Sequence, residues 1–234
     1  MTSKIYISNK LPDTNQVPSM VSCEAMLGFS LFFIDGSNLY HNLKASGIRP
    51  GSVNIASLVK YVAKKSGITN YKIIYFNSIP SILDGKEKYF HHLKFLEQIR
   101  RQGIEVNTRK LQRLSMKEQL RISREEIEHL GLCDTCKPIV ESHYKSYIGE
   151  ITLKEKGVDM MIAIEMIRHG IMLKDCSRII LISGDADFIP CMDLLKMNNI
   201  AISSACTAKG YSYELRNKHK WLILDKQEII RECQ

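Results

Sequence analysis

From residue 29 onward, short apolar runs alternate with amphipathic stretches, a pattern that predicts strands separated by helices. The strand-like runs are mostly apolar rather than alternating and cover residues 29–34, 71–76, 104–108, 178–183, 200–204 and 221–224. The amphipathic stretches have helical spacing and cover residues 37–43, 53–65, 86–101, 158–171 and 188–197. Strands that are apolar on both faces are typical of a parallel sheet covered by helices. The pattern therefore predicts an α/β fold, a three-layer α/β/α sandwich with a mainly parallel central sheet.

Two regions depart from this alternation of strands and helices. Residues 1–28 show no clear periodicity, and we expect an N-terminal extension there. Residues 109–157 are polar and separate the third strand from the next helix, which indicates a small inserted subdomain. The predicted domain spans residues 29–225, and residues 226–234 are expected to be a C-terminal tail.

Charge adds a candidate class of partner. The chain of 234 residues has 33 Lys and Arg against 25 Asp and Glu, a net charge of +8. Eleven basic and only four acidic residues fall within residues 86–124. Such a field favours a polyphosphate, most commonly a nucleic acid, although a solvated helix face would have the same composition.

Composition also limits the setting. The seven cysteines are an odd number without framework-like spacing, which indicates reduced thiols and a cytoplasmic protein. No apolar run approaches the roughly 18 to 20 residues that a membrane helix needs, and no signal peptide is evident, so we expect no membrane contact.

Four aspartates fall where the predicted strands end or a helix begins. Asp35 follows the first strand, Asp185 and Asp187 follow the strand at 178–183, and Asp159 lies in the first turn of a helix. In a parallel sheet these positions share the carboxyl edge, where ligands bind. Converging carboxylates repel one another unless a cation lies between them, and Mg²⁺ or Mn²⁺ prefers such ligands. The pattern therefore predicts a metal site.

Each aspartate also has a purely structural interpretation. Asp35 precedes a glycine and could serve a turn. Asp159 could complement a helix dipole, and Asp187 could cap the helix that follows it. These alternatives stay open at the level of the sequence.

Three segments resemble the three motifs of the NYN domain, a family of the PIN-like nuclease superfamily, and are most similar to its bacterial LabA-like branch. The segments are FFIDGSNLYHNL at 32–43, KGVDMMIAIEMI at 156–167 and LISGDADFIPCMDLL at 181–195. The resemblance implies a PIN-like sandwich and metal-dependent cleavage of RNA by metal-activated water. It also implies a homodimer as an assembly known in the family.

The resemblance also implies roles for individual residues. Asp35, Asp159 and Asp185 match the metal-site positions, and Asp187 matches the second acidic residue of the third motif. Asn38 would orient a ligand, water or carboxylate. Ser37 and Ser183 are candidate substrate contacts within these motifs. Independently of the resemblance, we expect Arg109, Lys110 and Arg113 of the basic segment to contact the RNA backbone.

The insertion contains one C-x-x-C flanked by two histidines. His129, Cys133, Cys136 and His143 could supply four ligands to a structural Zn²⁺. A single C-x-x-C is a weak signal, so reduced surface thiols or a different fourth ligand remain alternatives.

The sequence therefore predicts a metal-dependent ribonuclease with an acidic Mg²⁺ or Mn²⁺ site and RNA as its substrate. The alternative is a catalytically silent RNA-binding or scaffolding module of the same fold. The intact set of aspartates favours the enzyme, because loss of these residues would be the simplest way for such a protein to lose catalytic activity.

Overall fold

Parallel strands form the centre of the molecule in a computed structural model that describes residues 29–80, 82, 85–110, 112–113, 124–125, 127–148, 153–154 and 157–234. The predicted extension, residues 1–28, lies outside them. The strands are β1 Ser30–Asp35, β2 Tyr71–Ile79, β3 Glu105–Lys110, β4 Gln112–Arg113, β5 Leu153–Lys154, β6 Arg178–Ile182, β7 Ala201–Thr207 and β8 Trp221–Leu224. The α-helices are α1 Gly36–Ala45, α2 Ile55–Lys65, α3 Lys86–Arg100, α4 Cys136–Ile148, α5 Val158–Ile167, α6 Ile189–Met197, α7 Tyr213–Lys218 and α8 Lys226–Cys233.

Six strands form one sheet in the order β3-β2-β1-β6-β7-β8, and every neighbouring pair is parallel. The central strand β1 is buried along its whole length, which explains why its sequence is apolar rather than alternating. Its alternate side chains enter two separate cores. Phe32 and Ile34 pack with α1, α2, α3 and α8, whereas Leu31 and Phe33 pack with α5, α6 and α7. The predicted three-layer α/β/α sandwich is confirmed.

The helix predicted over residues 158–171 is shorter and changes its winding. Regular α-helix ends at Ile167, and a wider π-helical turn covers Arg168–Leu173. A Cβ on Gly170 would lie 2.7 Å from Leu195 Cδ2, so α6 approaches this turn closely. His169 Nδ1 lies 2.9 Å from Asp175 Oδ2 just beyond the turn. The change from α-helix to π-helix is therefore accompanied by close packing and a local polar contact. Neither can be predicted from the spacing of apolar residues in the sequence.

Residues 226–233, set apart above as part of a tail, form the helix α8 against α2. Asp225 caps α8 by accepting hydrogen bonds from the backbone N–H groups of Gln227 and Glu228. The backbone N–H of Asn54 donates to the carbonyl of Cys233 (2.7 Å). Ile229 is fully buried in the core on that side of the sheet. The eight-residue helix is too short to show its periodicity clearly in the sequence.

Replacing Ile229 with alanine is expected to lower the free energy of unfolding by about 3 kcal/mol, because the change leaves a cavity between α8 and α2. The matched control is Ile230→Ala at the next position, where the side chain is 38% exposed. That control should cost less than about 1 kcal/mol. Urea unfolding of both variants measures the difference, and equal losses would contradict the packing of α8 described here.

The predicted insertion leaves the domain after β3 and returns before α5. Its two ends are joined by an antiparallel pair, in which Gln112 lies opposite Lys154 and Arg113 opposite Leu153. The helix α4 lies between these strands along the chain. Within the described ranges, no helix is long and apolar enough to cross a bilayer.

Candidate functional site

The sheet has a topological switch point between β1 and β6. The chain proceeds from β1 to β2 and β3 on one side, and from β6 to β7 and β8 on the other. Crevices at the carboxyl ends of strands beside such a point are where open α/β sheets bind ligands. Asp35 is the last residue of β1, and Ser183 follows the last residue of β6. Two predicted site residues therefore lie at this point.

Asp35 is buried, with only 3% of its surface exposed, and it contacts both neighbouring elements. Its Oδ1 accepts the backbone N–H of Asn38 (3.0 Å), so Asp35 caps α1. Its Oδ2 accepts the hydroxyl of Ser183 from the adjacent strand (3.3 Å). The structural interpretation as a local cap is thus correct for one oxygen, and the other oxygen connects β1 to the loop after β6.

Ser183 connects this carboxylate to a second one. Its hydroxyl oxygen accepts the backbone N–H of Asp185 (3.3 Å). Asp185 is half-buried, and its Oδ1 accepts the backbone N–H of Asp187 (3.0 Å). Asp185 therefore caps the short 3-10 helix Ala186–Phe188. Asp187, considered above as a cap, is exposed within that turn.

Asn38 joins α1 to the same loop. Its side-chain oxygen accepts the backbone N–H of Gly184 (3.0 Å) and the side-chain NH₂ of Asn42. The NH₂ of Asn42 also contacts Cys206 Sγ at 3.1 Å on β7. Asn38 therefore fixes the backbone between Ser183 and Asp185, and its predicted role of orienting a ligand, water or carboxylate stays a prediction. Asn42 was missed, although it lies one helical turn after Asn38 on the same face of α1.

Two glycines allow neighbouring segments to approach closely at this site. A Cβ on Gly184 would lie 1.9 Å from the carbonyl oxygen of Gly210, and a Cβ on Gly210 would lie 2.2 Å from Asn42 Cγ. The backbone N–H of Ser212 donates to the carbonyl of Gly184 (3.0 Å). The loop after β7 therefore supports the loop that carries Asp185. Gly210 was also missed, because the sequence around it matches no predicted element.

Asp159 lies in the first turn of α5 and is exposed. The helix α5 packs against β1 and against the turn Ala186–Phe188, which places its start near this edge. Gly157 precedes it in the left-handed conformation (φ 83°). Arg109 Nη1 donates to the carbonyl of Gly157 (3.3 Å), and a Cβ there would lie 2.7 Å from the same atom. Arg109 is therefore held beside the start of α5.

For the other predicted substrate contacts, the structure gives a position in the fold. Lys110 is exposed at the end of β3. Ser37 is half-buried in the first turn of α1, two residues after Asp35. Arg113 lies on β4, and its side chain is outside the described residues.

The oxygen donors at the switch point suit a hard divalent cation. Asp35 and Asp185 are linked through one serine hydroxyl, and no nitrogen or sulfur ligand accompanies them in these contacts. In the part of the chain that the structure describes, no three His, Cys, Asp or Glu side chains are grouped closely enough to hold a metal together. Mg²⁺ characteristically binds one or two carboxylates and keeps several waters. The donor set therefore fits such an ion and does not form a closed protein cage.

A cleft of about 450 Å³ lies at the opposite, amino-terminal edge of the sheet, between the ends of helices and the starts of strands. Its basic lining residues are Lys65, Arg178, Lys196 and Lys220. The helices α2 and α6 end beside it, and helix carboxyl ends disfavour anions. These cations complement the helix ends, so we assign the candidate site to the carboxyl edge.

The cysteine pair of the insertion lies at the start of α4 and is exposed. Hydrogen bonds from the backbone N–H and the thiol of Cys136, and from the backbone N–H of Thr135, lower the pKa of Cys133. His129 is exposed as well, and the side chain of His143 lies outside the described residues. The zinc site stays a prediction.

We expect Cys133 to be the most reactive of the described thiols. Burial raises the pKa of Cys176 to about 12 and the pKa values of Cys191, Cys206 and Cys233 to about 11. Because the thiolate is the nucleophile, a lowered pKa keeps Cys133 reactive as the pH falls below the usual thiol range. Brief iodoacetamide labelling at pH 7 followed by mass spectrometry measures this order. Faster labelling of a buried cysteine would contradict it.

Comparison with known proteins identifies the family. The family model described as NYN domain matches residues 31–223. A crystal structure of a protein of unknown function from Vibrio parahaemolyticus is similar in fold, with a TM-score of 0.51 and 17% sequence identity. The similarity covers 85% of this chain and 94% of that one. No protein of curated function matches this sequence significantly. The family match spans most of the chain and all three motifs, so the chain belongs to the NYN domain family of the PIN-like nuclease superfamily.

Proposed function

We propose that this chain is a metal-dependent ribonuclease that hydrolyses RNA phosphodiester bonds at the switch point between β1 and β6. The observation that carries the proposal is the hydrogen-bonded link from Asp35 through Ser183 to Asp185. It places two carboxylates of neighbouring strands at the edge where such sheets bind ligands. NYN domains have a PIN-like nuclease fold and are generally metal-dependent ribonucleases, which supports the same function.

Asp35 and Asp185 would hold Mg²⁺ or Mn²⁺, and Asp159 and Asp187 would contribute as further ligands or through water. When bound, such an ion supplies a Lewis acid that promotes ionisation of the attacking water and offsets charge on the phosphate. Ser183 orients Asp35 through its hydroxyl. Asn38 fixes the loop between Ser183 and Asp185 by accepting the N–H of Gly184.

The RNA backbone would be held by basic residues beside this edge. Arg109 is fixed against Gly157, immediately before the helix that carries Asp159, and Lys110 follows it at the end of β3. Arg113 is the third proposed backbone contact, and Ser37 would contact the phosphate next to Asp35. Contacts of this kind fix the position of the strand without reading its sequence.

One observation favours the silent RNA-binding module as a second candidate. Both carboxylate oxygens of Asp35 already accept hydrogen bonds inside the protein, and the described residues contain no group of three metal-ligand side chains. A protein that retained the fold and its basic surface but bound no ion would keep these same contacts.

Cleavage of 5′-labelled RNA with Mg²⁺, with Mn²⁺ or with EDTA separates the two candidates. A single-stranded RNA and a hairpin serve as substrates, and filter binding in EDTA measures affinity independently of cutting. The proposed function requires cleavage that depends on the divalent ion. Binding without cleavage under every metal would establish the silent module instead. If the protein neither binds nor cleaves RNA, both candidate functions are contradicted.

A further inference from the structure

A cleft of about 490 Å³ lies beside the candidate catalytic site, between α1 and α3 and over β2. This volume is within the range of about 300 to 1,000 Å³ typical of sites for small organic groups. The polar and aromatic residues that line it are Ser37, Tyr40, Tyr75, Asn77, Lys88, His92 and Phe95. The function proposed above uses none of these residues except Ser37.

The cleft begins one residue beyond Asp35 on both neighbouring strands. Gly36 and Ser37 follow Asp35 directly and line the cleft. Asp35 lies opposite Phe76 in the parallel register of β1 and β2, and Asn77 is the next residue on β2. A group bound in the cleft would therefore be an immediate neighbour of a phosphate held at Asp35.

The lining is suited to a flat aromatic group with polar edges. Aliphatic side chains of Leu39, Leu43 and Ile55 form apolar walls, and Phe95 packs edge-on against Tyr75. Asn77 accepts the backbone N–H of Ser78 through its Oδ1, which orients its amide within the cleft. Among the residues that the structure describes, no carboxylate lines the cleft and Lys88 is the single lysine there, exposed on α3.

Tyr40 is the residue best placed to stack on such a group. Its side chain is 50% exposed, and its ring meets His41 edge-on with 5.5 Å between ring centroids. An aromatic face exposed at the entrance of an apolar cleft matches the way proteins hold the bases of single-stranded RNA. A base inside a duplex could not enter, because it is stacked on both faces and paired along one edge.

We propose that this cleft binds one unpaired nucleobase next to the phosphodiester that is hydrolysed. The inference rests on the function proposed above. Tyr40 stacks on the base, Asn77 and Ser37 contact its polar edge, and Lys88 contacts the adjacent phosphate. The cleft thereby sets the register of the strand relative to Asp35.

The test uses fluorescein-labelled RNA octamers in which one abasic nucleotide is moved along the strand. We expect one abasic position, adjacent to the cut, to raise KM about tenfold, the size typical of losing one stacked base. Tyr40→Ala should raise KM on intact RNA by a similar factor and should have no further effect on that abasic RNA. Tyr40→Phe, which keeps the ring, should restore most of the affinity that Tyr40→Ala loses.

Two further variants separate this role from a structural one. Phe90→Ala is the matched control, because Phe90 lies on α3, is 52% exposed and does not line the cleft. It should leave KM unchanged. Gly51→Phe fills the cleft, since Gly51 lines it and a Cβ there meets nothing within 4 Å. This variant should raise KM at unchanged thermal stability.

Fluorescence anisotropy in EDTA repeats the measurement without cleavage. Loss of affinity in Tyr40→Ala with no cutting by the wild type would support the base cleft and contradict the nuclease. Normal metal-dependent cutting by Tyr40→Ala, with no abasic position affected, would overturn the base cleft and leave the nuclease. Absence of both binding and cutting in the wild type would overturn both.

Discussion

Asp35→Asn is expected to lower the rate of RNA cleavage at least about 100-fold while leaving the fold intact. Losing a metal ligand raises the activation free energy by several kcal/mol, and each tenfold loss of rate corresponds to about 1.4 kcal/mol. Asparagine keeps the shape of the side chain and caps a helix as well as aspartate does. The hydrogen bond from the N–H of Asn38 to Asp35 Oδ1 can therefore persist. What the variant loses is the negative charge at the end of β1.

Single-turnover cleavage and thermal unfolding together measure this effect. Asp225→Asn is the matched control, because Asp225 also caps a helix through its carboxylate but is exposed at the start of α8. It should cut RNA at the rate of the wild type. Asp185→Asn should resemble Asp35→Asn, and the double variant should lose little more, because residues that act as a unit are not additive. Cleavage by Asp35→Asn within threefold of the wild type would rule out the proposed site.

Gly184→Ala is expected to lower the free energy of unfolding by about 3 kcal/mol and to abolish cleavage. The added Cβ would lie 1.9 Å from the carbonyl oxygen of Gly210, and a backbone atom cannot rotate out of the way as a side chain can. Separating the two loops would also disturb the hydrogen bond from Gly184 N–H to Asn38. Ser183 and Asp185 would move with it.

Gly51→Ala provides the comparison for the cost of adding a methyl group. A Cβ on Gly51 meets no atom within 4 Å, and no left-handed φ constrains this residue. We expect a change within about 0.5 kcal/mol in urea unfolding. A Gly184→Ala variant as stable as Gly51→Ala would show that the loops do not approach each other as described.

The sequence predicted the parts of this molecule that depend on local patterns. β8 was predicted with its observed bounds, because four consecutive apolar residues lie between polar neighbours. The placement of Asp35 and Asp185 followed from the rule that parallel strands end at one edge, once their strands were recognised. Both strands were recognisable because burial on both faces makes them apolar throughout.

Contacts between distant segments were not predictable in this way. Asn42 and Cys206 are 164 positions apart, and nothing in either local sequence indicates that their side chains meet. The role of Gly210 depends on the path of the loop after β7, which no periodicity describes. The cleft between α1 and α3 likewise follows from how the two helices lie over β2.

The link between Asp35 and Ser183 has a kinetic consequence. These residues are 148 positions apart in the chain, although they belong to adjacent strands. Long separations slow folding, because the entropy of closing the intervening loop is lost before the contact can stabilise it. During synthesis, β1, β2 and β3 leave the ribosome well before β6 exists. The edge of β1 that pairs with β6 therefore stays unpaired during this time. The acidic site is completed only when the last third of the chain docks.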